Sequence, residues 1–170
     1  VPNDLFPWFT ADENTDGTAL ARSGSKSAAL YDERRGYYEL KQTSILTVDQ
    51  ILDTTVAREP RLEFYVAHDI EPPADQVYDF LAVEISTDGG ETYTFADLNQ
   101  DGEVVDDPRL LAFDGLSGMS DKNGDDRLGK EDFEFFSVEL PSATQVIVAF
   151  RFVSDQEFSN YRGAYLDDIR

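Results

Sequence analysis

Tyr78-Asp79-Phe80-Leu81-Ala82-Val83-Glu84-Ile85-Ser86-Thr87-Asp88-Gly89-Gly90-Glu91-Thr92-Tyr93 decides the fold class. Successive side chains alternate across a strand. Leu81, Val83 and Ile85 therefore share one face of Tyr78 to Ser86, and Phe80, Ala82 and Glu84 share the other. Asp88-Gly89-Gly90 supplies the residues of a tight hairpin leading into Thr92-Tyr93-Thr94. Working outward, Arg61 to Ala67 alternates around Leu62, Phe64 and Val66. Val146 to Val153 is apolar except at Arg151, the pattern of a central strand covered on both faces. Ser137 to Leu140 and Ala164 to Ile169 read as further strands, with Ser27 to Tyr31 and Tyr37 to Thr43 as weaker candidates. Helical signals are confined to single turns at Val48 to Thr54 and Leu110 to Phe113, and Glu71-Pro72-Pro73-Ala74-Asp75 is a rigid loop. Many short strands with few helices predict an all-β, two-sheet antiparallel sandwich or jelly roll.

The chain has 170 residues, enough for one domain with a real core, and is read as a single β-sandwich domain over 1–170. It carries 35 acids against 14 bases, a formal charge of -21. A surface of that sign repels phosphate backbones and anionic lipid, so nucleic acid and membranes are not expected partners. The acids are 22 Asp and 13 Glu. An Asp excess suits cation loops, where a short carboxylate turns back on its own backbone, and it also suits a salt-adapted surface. With no Cys there are no disulfides or thiolate sites. The one histidine, His68, is expected as a polar residue at a strand end. No run approaches the ~18 apolar residues of a membrane span. The sequence does not open on a signal-peptide pattern and stops inside a strand-like run, Leu166-Asp167-Asp168-Ile169-Arg170, which leads us to expect a processed chain or a piece of a larger protein.

Residues 97–132 break the β pattern. They hold 11 acids and 4 bases, and a loop of that length without structure of its own is uncommon in a compact domain. Spacing identifies what would order it. Asp121-Lys122-Asn123-Gly124-Asp125-Asp126-Arg127-Leu128-Gly129-Lys130-Glu131-Asp132 is a twelve-residue loop of EF-hand type. Asp121, Asn123 and Asp125 occupy positions 1, 3 and 5, Arg127 offers its carbonyl at position 7, and Asp132 closes at position 12. Position 6, usually Gly, is Asp126, which implies backbone strain. Asp97, Asn99 and Asp101 repeat positions 1, 3 and 5, with Glu103 at position 7. There position 12 is Pro108, so Asp107, Asp106 or water must close the site. Position 8 is apolar in both copies, and Val104 is expected to meet Leu128 in a short β contact. A third, weaker match is Asp12, Asn14 and Asp16, which an Asx-rich turn would explain equally well. Neither tandem loop is flanked by long amphipathic helices, so the expected role of Ca2+ is structural rather than switching. In this the loops resemble those of dockerins and thrombospondin type 3 repeats.

The rest of the chain resembles secreted bacterial jelly-roll accessory domains. The segment 78–93, then Phe150-Arg151-Phe152-Val153-Ser154-Asp155, then Gly163-Ala164-Tyr165-Leu166-Asp167-Asp168-Ile169 carry the resemblance, with Trp8, Ala21-Arg22-Ser23-Gly24 and Ser27-Ala28-Ala29-Leu30 at the start. These domains are the MAM-like or choice-of-anchor-J type, also appended to immune-inhibitor-A-like metallopeptidases. The resemblance implies a concanavalin-like or galactose-binding-like jelly roll serving adhesion, substrate docking or spacing. It also implies a structural calcium near the last strand, for which Asp168 first and Asp167 second are the matching residues, completed by the loop around Asp12 to Asp16.

The leading functional expectation is a non-catalytic, calcium-stabilised binding, adhesion or spacer module of a secreted or cell-surface protein. Its expected partners are calcium ions and a polysaccharide or protein surface. The alternative is a carbohydrate-binding module attached to a secreted hydrolase. It needs a flat row of exposed aromatics, for which Trp8, Tyr37, Tyr38, Tyr93, Tyr161 and Tyr165 are available. A glycosidase would need a carboxylate pair, and no spacing singles one out.

Overall fold

The computed structural model describes residues 8–12, 20–31, 36–110, 112–157 and 160–170. Among these residues nine strands run β1 (Phe9–Asp12), β2 (Lys26–Leu30), β3 (Thr43–Thr47), β4 (Arg61–Asp69), β5 (Phe80–Ser86), β6 (Thr94–Phe95), β7 (Glu134–Glu139), β8 (Ile147–Val153) and β9 (Gly163–Asp167). A single 3-10 turn, Lys130–Asp132, is the helical content among the described residues. One sheet has the order β1-β2-β9-β4-β7 and the other β3-β8-β5-β6. Every pairing is antiparallel. The protein is thus all-β, with two antiparallel sheets arranged as in a β-sandwich.

Alternation explains the core. Leu62, Phe64 and Val66 of β4 and Leu166 of β9 are buried together with Leu81, Val83 and Ile85 of β5 and Val148, Phe150 and Phe152 of β8. Phe64 meets Phe150 edge-on across the two sheets, ring centroids 5.1 Å apart. The opposite row of β5 is buried too, under a different cover. Phe80 and Ala82 cluster with Val77 and Phe113, and Glu84 is held by Arg151 of β8 at 2.8 Å. That ion pair accounts for the one charge in the otherwise apolar β8. The outer row of the five-stranded sheet, Ala29, Ala67 and Tyr165, is covered by Leu20, Leu128 and Phe133.

Residues 97–132 supply much of this cover. The segment leaves β6, places Leu98 in the main core, and brings Leu116 beside Leu81 of β5. It then brings Met119 beside Asp69 of β4 before entering β7. The insertion therefore passes from the edge of one sheet to the edge of the other.

Some elements differ from the sequence expectation. Thr43–Thr47 is a strand, but its alternate residues are Ser44, buried, and Ile45, half-exposed, so the usual apolar signal is inverted on this edge. Only Thr43 of the Tyr37 to Thr43 candidate belongs to it. Phe9–Asp12 forms a strand that short length concealed. Val48 to Thr54 forms no helical turn: the Gln50 amide donates to the Val48 carbonyl at a bend, and Leu52 bridges Val146 just before β8. The hairpin after β5 uses Gly89 and Gly90 at φ 77° and 97°. Thr92 donates from its amide and hydroxyl to Asp88, so pairing resumes only at Thr94.

Candidate metal sites

The two acidic loops fold back on themselves by the same rule. In the first, the Gly102 amide donates to Asp97 Oδ2, the Asp101 amide to Asn99 Oδ1 and the Glu103 amide to Asp101 Oδ1, each at 2.9 Å. In the second, the Asp126 amide donates to Asp121 Oδ2 at 3.0 Å, the Asp125 amide to Asn123 Oδ1 at 3.0 Å and the Arg127 amide to Asp125 Oδ1 at 3.0 Å. Position for position these are the same bonds: 6 to 1, 5 to 3 and 7 to 5. The amides facing Asp121 hold its carboxyl below the usual range. Asp126 takes φ 57°, the left-handed conformation its place at position 6 demands.

Closure differs between the loops. Asp132 is fully buried, accepting from the Lys122 amide at 2.9 Å and the Gly129 amide at 2.6 Å. In the first loop Asp107 turns away: both its oxygens are taken by the Arg109 guanidinium, at 2.8 and 2.6 Å. That pairing holds its carboxyl down to about 2.

The expected contact between Val104 and Leu128 is not among the bridges of the described residues. Leu128 is buried with Phe133 and Tyr165. Val104 is half-exposed on a groove of about 590 Å³ bounded by Arg61, Phe95 and Leu140. Each loop docks on its own part of the sandwich, and this takes the place of docking on the other loop.

At the last strand, the Asp167 carboxylate accepts from the amides of Arg22 and Ser23 at 2.7 and 3.0 Å. Asp168 is bonded by the Ser23 hydroxyl at 2.5 Å and by the Arg22 guanidinium, which keep its carboxyl low. Arg22 also lies 3.4 Å from the centre of the Tyr65 ring. Asp12 faces Lys26 at 3.4 Å. Asn14 and Asp16 lie outside the described residues.

One acidic group escaped the sequence reading. Glu71, Asp79 and Asp155 each bring an oxygen within 4.8 Å of the others, close enough to share one cation. Register explains the meeting. Phe80 pairs with Val153, so Asp79, just before β5, and Asp155, just after β8, sit at the same end of neighbouring strands. Glu71 arrives from the loop after β4. Buried Asp79 accepts from the Tyr38 hydroxyl at 2.6 Å and from the Asp155 amide at 2.7 Å. Burial, then the neighbouring carboxylates, raise the Glu71 carboxyl above its usual value. Burial raises Asp79 as well. Asp79 and Asp155 lie in the stretches 78–93 and 150–155. The signal was present, but only strand register brings those two stretches together.

His68, near the end of β4, is buried with Nδ1 2.9 Å from the Gly118 carbonyl, and burial lowers its pKa. Of the six aromatics considered for sugar binding, Tyr38 and Tyr165 are core residues, and Trp8, Tyr37, Tyr93 and Tyr161 are half-buried. Compared with known proteins, the chain matches no family model and no curated protein.

Proposed function

We propose that this chain is a non-catalytic, calcium-stabilised jelly-roll module of a secreted or cell-surface protein, serving adhesion, binding or spacing. The observation that carries this reading is that the loops at 97–108 and 121–132 share three main-chain to side-chain hydrogen bonds, position for position. A carboxylate has about four lone-pair sites. The main-chain amides take some of them, orient the oxygens, and leave the others for a hard cation that prefers six to eight oxygen ligands. The excess of acids over bases across the insertion calls for such a counter-charge. The jelly-roll assignment is supported by strand order: among the described residues only β1-β2 and β5-β6 are neighbours both in sequence and in a sheet. Every other connection crosses between sheets.

The test is a calorimetric calcium titration of metal-free protein, with limited proteolysis in parallel. Two or more ions per chain are expected. In chelator, first cuts are expected at the exposed stretches 99–104 and 122–127. Fewer than two ions, or first cuts in β8, would defeat the reading.

A further inference from the structure

Asp114 lies outside both twelve-residue patterns, yet it accepts from the first loop the hydrogen bond that the closing residue accepts in the second. In the second loop the position-9 amide, Gly129, donates to the closing residue Asp132 at 2.6 Å. In the first loop the position-9 amide, Val105, donates to Asp114 Oδ2 at 2.7 Å. The Asp114 amide returns a bond to the Val105 carbonyl at 3.0 Å, which pins the two residues together. Asp114 is 2% exposed, and its second oxygen, Oδ1, is buried without a partner. Among the described residues only two other side-chain atoms are in that condition, and one is Oδ1 of Asp97, position 1 of the same loop. An unpaired buried carboxylate oxygen is costly. One belongs to position 1 of the first loop and the other to the residue bonded to its position 9, and a cation would give each a partner.

We infer that Asp114 closes the first loop as a carboxylate ligand of a divalent cation, calcium by the all-oxygen donor set, six residues beyond the usual closing position. This rests on the calcium reading above. The loop tolerates Pro108 at position 12 because the chain continues through the turn at Asp107 to Leu110 and returns. Phe113 then anchors the return on the outer row of β5, and the next residue is delivered to Val105. Asp107 is not needed for closure and is free to pair with Arg109.

Calcium titrations of the full 170-residue chain test this with Asp114→Asn, which keeps the shape and an acceptor for the Val105 amide. Asp97→Asn serves as a position-1 reference and Asp53→Asn as a charge control at an exposed turn. Asp114→Asn is expected to weaken one of two binding events at least tenfold, and the same event must be lost in Asp97→Asn. Asp53→Asn is expected to change neither. A purely structural acceptor would leave calcium affinity untouched, so melting is measured as well. In chelator Asp114→Asn should melt no lower than the unsubstituted chain, because an unpaired charge has been removed. In calcium it should melt lower. If the unsubstituted chain binds two ions and Asp114→Asn binds both equally well, the assignment of Asp114 is overturned while the calcium reading stands. Weakening by Asp107→Asn in place of Asp114→Asn overturns it too. If the unsubstituted chain binds no calcium, the calcium reading falls and the assignment with it.

Discussion

Replacing Phe113 with alanine separates an insertion that is part of the sandwich from one that merely hangs on it. Phe113 is 7% exposed. It meets Phe80 edge-on at 4.9 Å and Phe95 at 5.4 Å between ring centroids. Burying a phenyl ring removes on the order of 150 Å² from water, about 4 kcal/mol at ~25 cal/mol per Å². The unfolded chain already hides part of that area, which leaves about 3 kcal/mol. The two aromatic pairs add roughly 0.5–1.5 kcal/mol each, and collapse of the gap at the sheet surface recovers part of the total. A loss of about 3–4 kcal/mol is therefore expected, within the usual range for Phe→Ala in a core. The assay is urea unfolding in saturating calcium, followed by far-UV circular dichroism and by the single tryptophan, Trp8, which packs on the main core. A loss below about 1 kcal/mol would refute the docking of the insertion on β5. Repeated in chelator, the same substitution should cost less, because a loop already opened has less docking to lose.

Three further outcomes follow from other parts of the fold. Gly163 opens β9 at φ 93°, and a Cβ there would stand 2.0 Å from the Leu30 carbonyl oxygen; Gly163→Ala should cost at least about 3 kcal/mol or abolish soluble expression, and an unchanged melting temperature would contradict the β2-β9 pairing. His68 is held below its ordinary pKa of 6.5 by burial, so the unfolded chain takes up the proton first and stability is lost as pH falls through about 6.5; unfolding at pH 7.5 and 5.5 should show a smaller drop in His68→Gln than in the unsubstituted chain, the raised carboxyls of Glu71 and Asp79 being common to both. Asp126→Gly relieves a left-handed residue at φ 57° and should raise stability by about 0.5 kcal/mol once the extra freedom of glycine in the unfolded chain is counted, with a fall in melting temperature as the contrary result.

What could be read from the sequence was what is local. Alternation placed Leu81, Val83 and Ile85 on the core face of β5, and the continuous run in β8 marked a central strand of its sheet. The loop spacing anticipated the left-handed turn at Asp126. What escaped was whatever depends on elements far apart in the chain. The Glu71, Asp79 and Asp155 group exists only because β5 and β8 are antiparallel neighbours in one register. Asp114 reaches Val105 through a turn that no twelve-residue template contains. The Val104–Leu128 contact failed for the complementary reason: Leu128 packs on the sandwich beside Tyr165, while Val104 stays half-exposed. The strand at Thr43–Thr47 was hidden by its own place at a sheet edge, where the half-exposed residue is Ile45 and the buried one Ser44.

The path of the insertion also bears on how copies of this chain behave toward one another. An uncovered strand edge offers a row of unpaired amides and carbonyls to any passing strand. Here β6 is two residues long and leaves the first half of β5 open, and β7 stops short of the end of β4. Leu116 takes the place beside Leu81, and Met119 the place beside Asp69. Both residues lie between the two acidic loops, held from either side. Whatever fastens those loops therefore also keeps two sticky edges out of reach, and loosening them would expose templates for intermolecular strand addition. On this view the acidic insertion protects the fold from self-association as much as it rigidifies it, and its opening should announce itself as aggregation before any loss of the core.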